Sequence, residues 1–158
     1  MRAGASAWGL CLLEFADRPE LPQELAFLAE HFGAAPQEGP SPLLDLVREE
    51  LAAYFAGQLT AFSVPLDTPG TDFQRRVWQS LAEVPFGKTV SYGVLAKALT
   101  GDTRASRAVA AANGQNRVAI LVPCHRVVGA GGALTGYAGG LERKAKLLAL
   151  ESGQGALF

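Results

Sequence analysis

The 158-residue chain contains only two cysteines, and it has no long run of apolar residues. Two thiols are too few for a disulfide framework or a cysteine-rich zinc site. No segment approaches the roughly 20 apolar residues of a membrane span, and the apolar stretch of a secretion signal does not follow the first residues. We therefore expect a reducing, cytoplasmic setting without membrane contact. The apolar content of 49% is enough to fill the core of one ordinary domain or two small ones.

The formal net charge of −1 hides a strong asymmetry between the two halves of the chain. Residues 1–70 hold three basic and ten acidic residues, a net charge of −7, whereas residues 71–158 hold eleven and five, a net charge of +6. The basic half could meet a phosphate backbone. Taken alone, the asymmetry fits a solvated charge distribution without any partner equally well.

Apolar segments separated by turn residues predict a small αβ unit at the start of the chain. The predicted elements are a strand over Leu10–Phe15, a helix over Leu21–Phe32, a loop over 34–42, a helix over Leu43–Phe55, a strand over Phe62–Leu66 and a turn over 67–70. Leu25, Leu28 and Phe32 would share the inner face of the first helix. The charge changes sign at this last turn, which predicts two domains, 1–69 and 70–158.

Residues after this turn predict mainly helices. Thr71 and Gln74 have the spacing of a capping box, which would start a helix. Two short helices follow, joined by a tight turn at Gly101, which is the sequence form of a helix-turn-helix. The second carries Arg104 and Arg107 among alanines, although two packed core helices would show the same pattern. The remaining predictions are an extended segment over Arg117–Val122, a glycine-rich loop over 129–140, and a helix over Leu141–Leu150 with Leu141, Ala145 and Leu148 inward.

Cys124 stands directly before His125, between an apolar segment and the glycine-rich loop. A thiol in that setting can be deprotonated by a nearby imidazole and used as a nucleophile. By itself the pair has a simpler interpretation, because free cysteine is among the most frequently buried residues.

The segment Pro123-Cys124-His125-Arg126-Val127-Val128 resembles the active-site signature of the O6-alkylguanine-DNA alkyltransferases, also called methylated-DNA–protein-cysteine methyltransferases. Further motifs occur in the family's order and spacing over nearly all of 71–151, and residues 9–57 look like the bacterial branch of the family. These motifs are Phe73-Gln74-Arg75-Arg76-Val77-Trp78, Pro85-Phe86-Gly87-Lys88-Thr89, Ser91-Tyr92, Arg107-Ala108-Val109, Asn116, Tyr137-Ala138-Gly139-Gly140 and Leu147 to Glu151.

The resemblance implies a single-turnover reaction in which an alkyl group moves irreversibly from guanine O6 to Cys124. It implies that His125 and Glu151 generate the thiolate through water, and that Tyr92 donates a proton to the departing purine. On this basis we expect the pKa of Cys124 to lie below that of a free thiol. Asn116 would tie the helix-turn-helix to the active-site turn. No metal or organic cofactor is implied.

The resemblance also implies a DNA surface and a base pocket. Double-stranded DNA would bind through its minor groove, with Arg107 entering the base stack, and with Ala108, Arg104 and Tyr92 beside it. Tyr137, Ala138 and Val127 would line the pocket for the flipped base. The backbone carbonyls of Cys124 and Val127 would accept hydrogen bonds from the guanine amine. Ala138 replaces a serine found in many relatives, which removes one hydroxyl contact. The protein would act as a monomer.

The fold implied is α+β: an N-terminal αβ domain with a ribonuclease-H-like sheet, shortened at its start, and a helical C-terminal domain of winged-helix type. Three other functions fit the sequence less well. A non-enzymatic lesion binder would lack Cys124, a Cys-His-Glu hydrolase would leave Arg107 unexplained, and a transcriptional regulator would need a longer chain.

Overall fold

The computed structural model describes residues 1–153 and has a mixed α/β fold. Its strands are β1 (Arg2–Ala5), β2 (Leu10–Glu14), β3 (Val90–Ser91) and β4 (Val127–Val128). Its helices are α1 (Leu21–Phe32), α2 (Pro42–Phe55), α3 (Asp72–Ala82), α4 (Tyr92–Thr100), α5 (Ser106–Gly114) and α6 (Leu141–Glu151). None of these helices is long and apolar enough to cross a membrane.

Strands β1 and β2 form an antiparallel hairpin, and all five residues of β2 are buried. Gly9 precedes β2 where the chain passes the Pro65 backbone so closely that a Cβ atom would lie 2.7 Å from the Pro65 oxygen. The strand predicted over Phe62–Leu66 is wrong, because this segment makes only a single bridge, between Leu66 and Leu10. Pro65 accepts from Leu10 there but has no N–H with which to extend a ladder.

Helices α1 and α2 begin and end close to their predicted bounds for local reasons. Gly33 ends α1 in the left-handed conformation with φ of 65°, and the Ser41 hydroxyl accepts from the Leu44 amide at the start of α2. The predicted inner face of α1 is partly wrong, because Phe32 is exposed and Glu24 is buried. Glu24 can be buried because it forms an ion pair with Arg18, which also pairs with buried Glu14.

Helices α4 and α5 are the two short helices for which the sequence predicts a helix-turn-helix, and α3 packs against α5. Both bonds of the predicted capping box at Thr71 are present, and the Trp78 indole on α3 donates to the Ala112 carbonyl on α5 at 2.9 Å. Gly101 ends α4 with φ of 80°. Arg104 lies before the second helix and not on it as predicted, because a 3₁₀ turn over Thr103–Ala105, capped by Asp102, precedes α5.

The segment between α5 and β4 is folded into turns, so the extended conformation predicted over Arg117–Val122 is wrong. Strand β2 pairs with it only at Val118, where the Leu13 amide donates to the Arg117 carbonyl and the Ala119 amide donates to the Leu13 carbonyl. The chain then reverses through Ile120, a β-branched residue with φ of 72°. This active-site turn, residues 116–124, leads directly into the 3₁₀ turn of Cys124.

Helix α6 presents a different face to the core from the one predicted. Leu141 is 48% exposed, and the buried residues are Lys144, Leu147, Leu150 and Glu151. Leu147 and Leu150 pack in one cluster with Tyr54 and Ile120, so that α6 closes over the active-site turn and the end of α2. The rotated face is what brings the Glu151 carboxylate inward.

Candidate active site

Cys124 lies in the short 3₁₀ turn Cys124–Arg126, and its side chain is buried, with 5% exposure. The Asn116 side-chain amide donates to Cys124 Sγ at 3.1 Å and to the Val122 carbonyl at 2.9 Å. The Asn116 carbonyl oxygen accepts from the Val118 amide at 2.9 Å. Asn116 therefore joins the end of α5, the active-site turn and the sulfur atom, and its donor points at the atom where a thiolate charge would develop.

The pKa of the Cys124 thiol is opposite in direction to the one expected. Burial raises this pKa to about 11, although the Asn116 hydrogen bond and the Lys144 ammonium act to lower it. His125 supplies no positive charge in the resting state, because burial lowers the pKa of its imidazole. Cys124 is therefore a neutral thiol in the free protein, and deprotonation has to accompany the reaction.

The Glu151 carboxylate is the centre of a buried hydrogen-bond network. Its Oε1 atom accepts from His125 Nε2 at 2.7 Å, from Tyr54 Oη at 2.7 Å and from Arg126 Nη2 at 3.0 Å. Its Oε2 atom accepts from Arg126 Nε at 2.8 Å and from the Gly87 amide at 3.3 Å. Burial alone would raise the pKa of Glu151, but the bonds from His125 and Arg126 outweigh it and lower this pKa to about 2. Glu151 is therefore ionised at neutral pH.

This network fixes the tautomer of His125. Because an ionised carboxylate only accepts, His125 Nε2 must carry the proton that it shares with Glu151. The other ring nitrogen, Nδ1, is then the basic one, and it is buried without a hydrogen-bond partner. No direct hydrogen bond joins His125 to the Cys124 sulfur among the described residues. The ring is held neutral, with one free lone pair, next to the thiol in sequence.

A cavity of about 470 Å³ opens between α4, α5 and the glycine-rich loop. Its lining includes the predicted residues Tyr92, Arg107, Tyr137 and Ala138, together with Asn113. The Tyr92 hydroxyl donates to the Gly136 carbonyl at 3.1 Å and accepts from the Asn113 amide at 3.4 Å. Burial, with the nearby Cys124, raises the pKa of Tyr92, so its hydroxyl is protonated at neutral pH.

Three of the four predicted DNA-contacting residues are exposed, and the fourth, Tyr92, lines the cavity. Arg107 and Ala108 are exposed on α5, whereas Val109 beside them is fully buried. Arg104 is also exposed, but its guanidinium is paired with Asp102, which caps the same turn. The structure therefore brings Arg107 to the rim of the cavity that Tyr92 lines, with Arg104 on the preceding turn.

One of the three predicted pocket residues does not line the cavity, and both carbonyls expected to accept from the guanine amine already accept a hydrogen bond within the protein. Val127 is fully buried and does not line the cavity, and its carbonyl already accepts from the Lys144 ammonium. The Cys124 carbonyl is also engaged, by the Val127 amide. Lys144 also donates to the Thr135 carbonyl at 2.7 Å, so this buried lysine ties the glycine-rich loop to β4. Tyr137 does line the cavity, with a buried hydroxyl that has no partner.

Four residues of the site are not predicted from the sequence as site residues: Tyr54, Asn113, Arg126 and Lys144. Arg126 and Lys144 are basic residues, a type that is almost never fully buried unless paired, yet both are buried here. Asn113 is a helix-end residue by pattern, and Tyr54 a core aromatic. The charge and size of these residues do not reveal their partners. Asn113 bonds to Tyr92, 21 positions away, and Tyr54 bonds to Glu151, 97 positions away. Among residues 1–153, no group of three or more His, Cys, Asp or Glu side chains could hold a metal ion.

Comparison with known proteins gives this arrangement a family. Residues 72–153 match the family model described as 6-O-methylguanine DNA methyltransferase, DNA binding domain. A curated relative from Mycolicibacterium paratuberculosis, named methylated-DNA–protein-cysteine methyltransferase, is 59% identical over 103 residues, which are 65% of this chain and 62% of the relative. A protein of the same name from Methanosarcina acetivorans is 56% identical over 102 residues, 65% of either chain.

Solved structures extend the likeness to nearly the whole chain. The crystal structure of Mycobacterium tuberculosis OGT in complex with DNA has a TM-score of 0.81 and 41% identity, over 98% of this chain and 88% of that one. The O6-methylguanine-DNA methyltransferase of Pyrococcus kodakaraensis has a TM-score of 0.66 and 31% identity, over 92% and 88%. The chain belongs to the 6-O-methylguanine DNA methyltransferase family. Its sequence matches span about 62% of the length of the first curated relative.

Proposed function

We propose that this protein repairs duplex DNA by transferring the alkyl group of O6-alkylguanine irreversibly to its own Cys124. The observation that carries the proposal is a buried thiol that accepts a hydrogen bond from Asn116 and is followed in sequence by a neutral imidazole whose proton-bearing nitrogen is fixed by Glu151. The names of its relatives support this activity, and the solved complex of one relative with DNA supports DNA as the partner.

Transfer is a displacement at the alkyl carbon. The proton of Cys124 passes through a water molecule to the free lone pair of His125 Nδ1, and Glu151 steadies the resulting imidazolium. The sulfur forms a bond to the alkyl carbon as the carbon–O6 bond breaks, and the Tyr92 hydroxyl protonates the departing purine. Tyr92 must release the Gly136 carbonyl to do so. Tyr92 then regains its proton from the His125 imidazolium through solvent. The thioether that remains on Cys124 is stable, so each molecule reacts once.

The reacting oxygen lies inside the base stack, so the nucleotide has to be flipped out. Arg107 is suited to fill the vacated stack, because it projects from α5 at the cavity rim where Ala108 permits close approach. The minor groove is the proposed docking side. The flipped base would stack near Tyr137, and the Ala138 amide would face O6 without the hydroxyl that a serine would add.

The finer description of the fold belongs to this proposal. We place a ribonuclease-H-like unit in 1–69 and a winged-helix unit with the helix-turn-helix in 70–158, a range whose last five residues lie outside the described part of the chain. The protein would act as a monomer. Two features support the division: α1 and the β1–β2 hairpin share a separate small core, and the capping box at Thr71 starts a new helical unit.

The decisive experiment is the intact mass of the protein before and after incubation with duplex DNA containing O6-methylguanine. We expect the addition of one methyl group per molecule, mapped by peptide analysis to Cys124 and not to Cys11. Repeated turnover by unmodified protein would contradict the proposal. Tight binding of the lesion with no change in mass would make the protein a lesion binder instead.

A further inference from the structure

Tyr54 is the one residue of 1–69 that donates a hydrogen bond to the Glu151 carboxylate among the described residues. The other donors, Gly87, His125 and Arg126, all come from later in the chain. Tyr54 lies in the last turn of α2, is fully buried, and is 97 positions away from Glu151 in sequence. It also lies outside the stretch 72–153 that matches the family model.

The Tyr54 hydroxyl is held in place by its ring. The ring lies against three phenylalanines, with centroid distances of 5.3 Å to Phe55, 5.4 Å to Phe62 and 6.1 Å to Phe86. Burial, with the adjacent negative charge of Glu151, raises the pKa of Tyr54, so the hydroxyl is protonated at neutral pH. A neutral donor therefore faces Glu151 Oε1.

Tyr54 and His125 share the same oxygen atom, Oε1, each at 2.7 Å. A donor that draws electron density from Oε1 weakens the stabilisation that this atom can give to a protonated imidazole. The other charged groups facing His125 are Arg126 and Lys144, which disfavour protonation, and Glu151, which favours it. Tyr54 thus acts on His125 through Glu151, without touching the imidazole.

We propose that Tyr54 is a positioning residue that holds Glu151 Oε1 and limits the basicity of His125, so that the imidazole stays neutral and available as the base. This inference rests on the proposed alkyl transfer for its catalytic meaning. It assigns residues 1–69 a direct part in the active site, beyond supporting the fold. The Tyr54 hydroxyl would be the contact through which α2 sets the protonation state of the catalytic histidine.

The test is Tyr54→Phe, which removes the hydroxyl and keeps the ring. We expect the His125 titration midpoint, followed by imidazole NMR, to rise by about one unit, which corresponds to a tenfold change on the acid limb. Assignment is simple because the chain has two histidines, and the other, His31, is exposed. Single-turnover transfer should fall about tenfold at pH values below the midpoint, and the loss should disappear at high pH.

Phe62→Leu is the matched control, because it loosens the packing of the Tyr54 ring and keeps the hydroxyl. It should lower the temperature of unfolding without moving the His125 midpoint. A uniform loss of rate at all pH values in Tyr54→Phe, or an unmoved midpoint, would overturn the inference and leave Tyr54 as a packing residue.

Incorporation of 3-fluorotyrosine provides a second variant that keeps every hydroxyl and tests the opposite sign. Fluorination makes the phenol a stronger donor, so the His125 midpoint should fall; a rise or no change would contradict the inference. The midpoints are measured without substrate and decide the role of Tyr54 independently. A wild-type protein that takes no methyl group on Cys124 would contradict the proposed function alone.

Discussion

Replacement of Glu151 by glutamine is expected to cost stability as well as activity, because the carboxylate compensates a buried arginine. Arg126 is 6% exposed and donates to both Glu151 oxygens. Breaking a buried ion pair by neutralising one partner costs about 3–5 kcal/mol. The lowering of the Glu151 pKa from 4.5 to about 2 corresponds to roughly 3 kcal/mol. The two figures agree, so we expect Glu151→Gln to lower the free energy of unfolding by about 3 kcal/mol at pH 7.

The pH dependence of this loss has a definite sign. A carboxyl whose pKa is lowered by folding contributes its stability above the unfolded value of 4.5, and that contribution disappears as the pH falls towards the folded value of about 2. The wild-type protein should therefore lose about 1 kcal/mol of its advantage over Glu151→Gln at pH 4, and about 2 kcal/mol at pH 3. Transfer should be slowed at every pH, because glutamine cannot compensate an imidazolium.

The assay is urea unfolding of both proteins at pH 7, 5, 4 and 3, with single-turnover transfer measured where they are folded. Glu142→Gln makes the same change on the same helix at an exposed position that pairs with Lys146. This control should change the free energy of unfolding by no more than about 0.5 kcal/mol. Equal unfolding free energies for wild type and Glu151→Gln would show that the network is not formed in solution, and normal transfer would refute the base mechanism.

Three further predictions concern other parts of the site. Arg107→Ala should strongly weaken repair of duplex DNA, because no side chain then occupies the space that the flipped base leaves in the stack. Transfer from a free alkylguanine base should be affected much less. Equal losses on both substrates would mean that Arg107 supports the fold or the pocket. Alkylation of Cys124 by iodoacetamide in the DNA-free protein should rise with pH up to about 11, the pKa that burial imposes, and a plateau already reached at pH 8 would contradict a buried neutral thiol. Gly139→Ala should lower the free energy of unfolding, measured by thermal unfolding, by about 1–3 kcal/mol, because the new Cβ would lie 2.6 Å from the Phe15 ring. Gly39→Ala is the control and should be neutral in this assay, because its Cβ would have no neighbour within 4 Å.

Local signals in the sequence were sufficient for many of the helix ends. The capping box at Thr71 and the left-handed glycines Gly33 and Gly101 act within four or five residues, and the sequence predicts a helix boundary or a turn at each of these places. The pattern failed where a partner distant in sequence decides the conformation. The segment 117–122 has strand-like composition, yet one bridge to Leu13 and the packing of Ile120 fold it into turns.

The candidate site shows the same division. The motif around Cys124 and the family's spacing predicted several of the residues that line the cavity or join the hydrogen-bond network of Glu151. The roles of these residues in DNA repair stay predictions. The direction of the Cys124 pKa could not be read from the motif, because it depends on the depth of burial. The partners of Lys144 are main-chain carbonyls, which a sequence pattern cannot reveal.

The left-handed conformation of Ile120 bears on whether the reactive segment could be transplanted. A β-branched residue costs on the order of 1–2 kcal/mol in this region of backbone space. Burial of the Ile120 side chain against Tyr54, Leu147 and Leu150, all of which lie on other elements, offsets this cost. An excised peptide carrying the cysteine motif, or the same residues grafted onto an unrelated scaffold, would relax to an ordinary conformation and release the sulfur from Asn116. The geometry of this cysteine is therefore a property of the whole fold and cannot be carried by a short motif.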